Sequence, residues 1–438
     1  MSRKHLVLAL GLFCPGGEHV TSWRLPDASP ERFLDVGYYR DLAQAAERGR
    51  FAAIFLADEL YVWDRFVSGL ESTVNERLEP FTLLGALSQA TSHVGLVATV
   101  STTYNEPYHV ARRLATLDFL SNGRAGWNLV TSASDEEAWN FGRESNLDHA
   151  VRYQRGAEFV QVVDELLGSW GEGSVLADKT TGRYSDAALI KPIDHRGEFF
   201  TVRGPLNISR PPQRQPALFQ AGASEDGKNL AAATADAVFT LGSGSIEAGQ
   251  QLYGDYKGRV VAAGRAADDL AVMPMLAPVI GSTEKEAQDR ADLILELTPD
   301  RVALDLLSHR LETDLSDHDP DEIFSFDFAD HSSVQQSQSA YAQIEKLVDG
   351  RSLTLREVYQ TLAGRGFLIG TPEKIADHVT ERFTQGAADG FILMAPSLPS
   401  GLTDFADHVV PLLTERGVYP AEYEGSTLRE NLAGGGAR

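Results

Sequence analysis

Residues 94–132 read VGLVATVSTTYNEPYHVARRLATLDFLSNGRAGWNLVTS, and this stretch decides the fold. Val94 to Val100 is an apolar, β-branched run. Ala125 to Thr131 is a second one, set off by Gly123. Both runs have the composition of buried strands. Between them Val110, Leu114, Leu117 and Leu120 recur at helical spacing, Pro107 sits where a first turn tolerates proline, and Asn122-Gly123 stops the helix. A strand, a helix and a second strand imply parallel neighbours joined by a right-handed crossover. Ligands of such units bind beyond the carboxyl ends of the strands, which here carry Thr99, Ser101, Thr102 and Thr103 on one and Asn128, Thr131 and Ser132 on the other.

The same alternation continues in both directions. Upstream, His5 to Cys14 and Phe51 to Asp58 read as strands, with helices over Asp35 to Arg48 and Pro80 to Ala90. Downstream, strands are expected at Pro216 to Gly222, Ala237 to Gly242, Ala271 to Gly281 and Gly390 to Pro396. Helical patterns fall at Asp148 to Leu167, Leu355 to Ala363, Pro372 to Gln385 and Asp404 to Arg416. Eight such units predict a (β/α)8 TIM barrel in one domain over 1–438. Residues 169–215 and 311–351 lack a sustained period and read as insertions, the second, acidic one as a lid. Residues 132–150, SASDEEAWNFGRESNLDHA, have loop composition, and 420–438 read as a polar, Gly-rich tail.

Composition narrows the function. Thirty-nine basic against sixty-two acidic residues give a net charge of −23, which disfavours nucleic acid and anionic membranes as partners. The single cysteine, Cys14, allows no intrachain disulfide and no thiolate metal cluster, a pattern compatible with a reducing cytoplasm. The start, MSRKHLVLALGLFCPGG, has the basic and apolar order of a signal peptide. Its apolar run is short and lacks a small-x-small cleavage pattern, so a first barrel strand is the expectation. No stretch has transmembrane length, and no GxGxxG follows a strand, so no dinucleotide fold is expected.

Several blocks, in order along nearly the whole chain, resemble the flavin-dependent monooxygenases of the nitrilotriacetate monooxygenase group, within the bacterial luciferase-like superfamily. They are FLAD at Phe55 to Asp58, PYHVARRLATLDFLSNGRAGWNLVTS, WNFG at Trp139 to Gly142, His149 with Arg152-Tyr153, HRGEFF at His195 to Phe200, RGPLN at Arg203 to Asn207, QAGAS at Gln220 to Ser224, and TLREN near the C-terminus. The resemblance implies a barrel that takes FMN as reduced flavin and O2 as co-substrate, and oxygenates a small organic molecule through a flavin C4a-hydroperoxide. It further implies a separate NAD(P)H:flavin reductase and a homo-oligomer, dimer or tetramer. The wider superfamily also contains non-catalytic flavin-binding and F420-dependent barrels, which stand as the alternative. A hydrolase would need paired strand-end carboxylates or metal ligands that the sequence does not assemble.

On this reading Asp58 ends the second strand, where its carboxylate accepts from flavin N–H or ribityl hydroxyl groups; a loop cap is the plainer role. Thr99 offers a hydroxyl to the ring or is simply a β-branched strand residue. Asn128 can both donate and accept at a flavin edge, and Thr131 lies on the opposite pleat face unless the strand bends. His149 and Tyr153, four apart on one helix face, reach toward a phosphate or ribityl chain. Arg152 is either a countercharge or a surface residue. Ala223 and Ser224 begin a helix whose N-terminus suits the FMN phosphate, with an ordinary N-cap serine as the plainer role. His19, before Trp23-Arg24, matches an active-site histidine region of the family, although the first histidine of that pattern is Glu18 here. Tyr61, Trp63 and Phe66 are expected on the substrate side. No metal ligand set is expected.

Overall fold

The computed structural model describes residues 3–434 apart from 243, 312, 329–343, 349 and 350. Eight parallel strands close a ring: β1 (Val7–Leu12), β2 (Ala53–Leu56), β3 (Gly95–Ser101), β4 (Ala125–Val130), β5 (Ala217–Gln220), β6 (Ala237–Thr240), β7 (Ala271–Ile280) and β8 (Gly390–Leu393). Each pairs with its neighbours in sequence order, and Val7 to Leu10 of β1 meet Gly390 to Leu393 of β8 to complete the circle. This is the TIM barrel that the sequence pattern predicts, with β1 a barrel strand.

Alternation along the strands sorts side chains into two cores. Val7, Ala9, Phe55, Val97, Phe219, Met273 and Ile392 fill the interior. Leu8, Leu10, Ile54 and Leu96 face outward onto the helices Val36–Arg48 and Pro80–Leu87. Leu129, Leu218 and Val238 do the same against Pro107–Leu120 and His149–Leu167. Arg124, just before β4, is buried and donates to the carbonyls of Ser88, Thr91, Val94 and Ser121 at 2.7–3.0 Å and to the Thr91 hydroxyl at 2.9 Å. One guanidinium thus ties the end of helix Pro80–Leu87 to the starts of β3 and β4.

Part of the region read as a tail, Leu428–Leu432, instead belongs to the barrel. Leu428–Leu432 is a short helix, boxed by Thr427 and Glu430, and Leu428 and Leu432 are fully buried in the barrel interior. The interior has room for them because Gly95 and Gly126 face them: a Cβ at either would stand 2.5 Å or 2.8 Å from a Leu428 methyl. Polar residues around two leucines hid this plug from a composition reading.

Three further differences have local causes. Asp135–Asn140 is helical where a loop was expected, because Ser134 caps it by accepting from Glu137 N at 3.3 Å. Phe367–Gly370 is an unpredicted strand outside the ring, paired with Ala277 to Ile280 because β7 is longer than its neighbours. Residues 169–215 leave the barrel and contain two antiparallel hairpins, Val175–Asp178 with Arg183–Ser185 and His195–Arg196 with Thr201–Val202. Much of the expected lid, 312, 329–343 and 349–350, lies outside the described residues; the rest packs Leu315, Phe324, Ile344 and Leu347 on the helices Asp300–Leu311 and Leu355–Gly364.

Candidate active site

At the carboxyl ends of the strands lies a cavity of about 290 Å3 whose lining runs from the loop after β1 to the end of β6. Its apolar walls are Phe13, Phe55 and Phe239; Phe13 stacks on Phe55 at 5.9 Å and lies 6.1 Å from Phe239. Tyr61, Trp63 and Phe66, expected on the substrate side, are not among the residues lining this cavity. Trp63 and Phe66 pack edge to face on each other at 6.3 Å within the loop after β2.

Thr99 and Asn128 stand opposite each other in the β3–β4 register, both facing inward. Asn128 Nδ2 donates to Thr99 Oγ1 at 3.1 Å, which leaves the buried carboxamide oxygen without a partner. A buried acceptor left unmade costs about 1–3 kcal/mol, so this position is built for a ligand donor. Asp58 lines the same cavity; burial pushes its carboxyl up to about 6, Glu79 and Glu137 add to the shift, and Arg77 opposes it. Glu18 opens onto the cavity yet is enclosed enough that burial, helped by Glu59 and opposed by Arg77, raises it to about 7. Burial pushes the Cys14 thiol up to about 11, so it stays protonated and behaves as a small apolar residue.

One strand further round, the chain builds a second polar centre. Ser224 caps the helix Glu225–Thr234 by accepting from Gly227 N at 3.2 Å. Gly227 and Gly222 touch so closely that a Cβ on Gly227 would lie 2.8 Å from Gly222 Cα and 3.0 Å from the Tyr153 hydroxyl. Tyr153 therefore rests on the first turn of this helix. The His149 ring lies 4.7 Å from the Tyr153 ring, and its Nδ1 is 3.5 Å from Asp226 of the same turn. Four of the predicted residues, His149, Tyr153, Ala223 and Ser224, thus converge on one helix N-terminus, a natural anion site. It follows the cavity-lining Ala221 directly in the chain.

Thr131 is not brought into the cavity. Its methyl faces the helix His149–Leu167, where a Cβ at Gly156 would meet it at 3.5 Å, as the pleat parity requires. Arg152 turns to the loop after β4 and donates through Nη1 to the Ser132 carbonyl, while its Nε is buried without a partner. Sequence reasoning missed Gln220, whose buried Oε1 is unpartnered beside Gly222. The signal was a polar residue closing the buried run Ala217 to Gln220, ALFQ. Among the described residues no His, Cys, Asp and Glu group of three or more is arranged to hold a metal.

His19 is buried next to the cavity-lining Glu18 but is not itself part of the lining. Its Nδ1 lies 3.2 Å from Thr21 Oγ1, its ring meets Phe367 edge-on at 6.3 Å, and its buried Nε2 has no partner. Burial lowers its pKa to about 4. A histidine held neutral contributes stability that is present above its unfolded pKa, about 6.5, and lost as pH falls toward 4. His19→Asn should therefore lose less thermal stability than wild type between about pH 7.5 and pH 5 in melts followed by circular dichroism. An equal loss in both proteins would show that His19 is not the group responsible.

Comparison with known proteins fits this geometry. The luciferase-like monooxygenase family model matches residues 10–389. The chain is 44% identical over 437 residues to N-acetyl-S-(2-succino)cysteine monooxygenase of Bacillus subtilis (strain 168), covering 99% of this chain and 98% of that one. It is 43% identical over 433 residues to nitrilotriacetate monooxygenase component A of Aminobacter aminovorans, covering 96% and 95%. Among solved structures, DmoA from Hyphomicrobium sulfonivorans superposes with a TM-score of 0.87 at 31% identity, over 98% of this chain and 92% of DmoA. Riboflavin lyase RcaE, solved with modified FMN and riboflavin, does so with 0.84 at 32% identity, over 98% and 96%. Identity at this level, over nearly the whole length and on the same barrel, places the chain in the luciferase-like monooxygenase family, as its long central block implied.

Proposed function

We propose that the protein is the oxygenase of a two-component system in the cytoplasm, taking reduced FMN from a separate NAD(P)H:flavin reductase and using O2 to oxygenate a small organic substrate. The observation that carries this reading is the Thr99–Asn128 pair, with its unpartnered carboxamide oxygen, at the wall of an aromatic cavity one strand from a helix N-terminus. The residues fit a flavin mononucleotide. Asn128 and Thr99 would offer one acceptor and one hydroxyl to a ring edge that carries N–H and C=O groups, Phe13, Phe55 and Phe239 would give a flat ring its apolar walls, and Tyr153 and Ser224 would hold a single phosphate. When bound, reduced flavin supplies the electrons that activate O2.

The chain's own residues bind, orient and shield. The interior below the cavity is packed shut by Phe55, Phe219 and Met273, which keeps water from the floor. Asp58 and Glu18 titrate near neutrality and can hold or release a proton at the cavity. The word "component A" in the name of one relative and the modified FMN in the RcaE structure support the division of labour and the cofactor. No helix among the described residues is long and apolar enough to cross a membrane.

The purified protein should bind FMN in preference to FAD and should not oxidise NADH unless a flavin reductase is added. Oxygen uptake with reductase, FMN and a substrate panel, followed by mass spectrometry for a product one oxygen heavier, tests the activity. Rapid NADH-dependent flavin reduction by the protein alone, or tighter binding of FAD, would overturn the two-component FMN reading.

A further inference from the structure

We propose, resting on the flavin reading above, that the cavity selects a neutral or singly cationic substrate, an amine or other N–H donor on an apolar body, and turns away polycarboxylates. The argument begins with the charges that line it. Glu18, Asp58 and Glu59 are three carboxylates against one guanidinium, Arg77. Arg77 is already committed, with Nη2 2.8 Å from Glu59 Oε2. Among the described residues neither Glu18 nor Asp58 forms an ion pair. The lining holds one more acceptor beyond its charges, because the carboxamide oxygen of Asn128, a residue only 3% exposed, has no donor among the described residues.

Such a wall calls for donors on the ligand. Asp58 and Asn128 lie with Thr99 on the strand ends assigned to the flavin, whereas Glu18 follows β1, so Glu18 is the acceptor left for the substrate. The phenylalanines assigned to the flavin give the same cavity apolar walls, against which an apolar body can lie. Nitrilotriacetate and N-acetyl-S-(2-succino)cysteine, the compounds in the names of two relatives, are polycarboxylates. Each would bring further negative charge to a wall that has no uncommitted cation among its lining residues. The groups facing Glu18 are Cys14, Asp58, Glu59 and Arg77, so its charge, and the preference with it, strengthens as pH rises through neutrality.

Benzylamine, benzyl alcohol and benzoate, a matched set of one charge each way about a neutral compound, test this by calorimetric titration of the FMN-loaded and the flavin-free protein. At about pH 8 benzylamine should bind at least about tenfold more tightly than benzoate, and the ratio should shrink toward about pH 6 as the carboxylates protonate. Glu18→Gln should shrink the ratio at the higher pH, weakening benzylamine more than benzyl alcohol, while the circular dichroism spectrum stays unchanged. Benzoate binding as tightly as benzylamine, no binding of any probe, or a ratio unmoved by Glu18→Gln would each overturn the inference. Failure to load FMN would count against the flavin reading instead, and the flavin-free titrations would still decide the charge preference.

Discussion

Removing the Tyr153 hydroxyl or the Ser224 hydroxyl should weaken FMN binding by about one to two factors of ten, while riboflavin binding stays unchanged. Both groups sit on the first turn of helix Glu225–Thr234, Ser224 as its cap and Tyr153 against Gly227. A hydrogen bond to a charged acceptor contributes roughly 1.5–3 kcal/mol, and 1.4 kcal/mol is one factor of ten. Tyr153→Phe keeps the ring beside His149, so it isolates the hydroxyl. Ser224→Ala also removes a helix cap, which alone costs about 0.5–2 kcal/mol of stability, so binding must be measured where both proteins are folded. Riboflavin separates the two effects because it lacks the phosphate. FMN affinity unchanged in both variants would show that the phosphate lies elsewhere and that the flavin does not span β4 and β5.

Arg124→Met should be the more damaging change, lowering stability by about 3–5 kcal/mol, because several buried carbonyls lose a charged donor at about 1–3 kcal/mol each. The guanidinium serves four backbone carbonyls and one hydroxyl, and among the described residues no carboxylate pairs with it directly. Methionine keeps much of the volume and returns none of the donors, so the carbonyls of Ser88, Thr91, Val94 and Ser121 lose this partner together. Urea unfolding of the two proteins measures the difference. A shift below about 1 kcal/mol would mean that water or a local shift replaces the donors. Arg124→Lys should fall between, since an ammonium has fewer donors than a guanidinium.

The barrel was legible because strand and helix periods alternate cleanly, and the strand ends pointed to Thr99 and Asn128 before any geometry was known. Tyr153 and Ser224 were legible as types suited to a helix N-terminus, but their contact is set by Gly222 and Gly227, whose closeness depends on tertiary packing. Thr131 shows the limit of reading a strand end as a single polar cluster: parity sends it to the outer face, away from Asn128. His19 and Glu18 are chain neighbours with opposite outcomes, one sealed beside Phe367 and the other open to the cavity. A loop has no period from which that choice could be read. The plug at Leu428 and Leu432 escaped because five helical residues carry too little pattern to announce burial.

That plug sets the order in which the molecule can be completed. β1 waits for β8 to cover its edge, and the space between Gly95 and Gly126 waits for Leu428, near the end of the described chain. During synthesis the first four strands therefore emerge with an unpaired edge at β1 and an apolar hollow open at one end. They hold this vulnerable form until some three hundred further residues have been added, a long exposure for a parallel sheet. Lesions at Leu428 or Leu432 should accordingly show up in cells as lost yield and chaperone dependence, while those molecules that do finish folding keep their chemistry at the far end of the barrel.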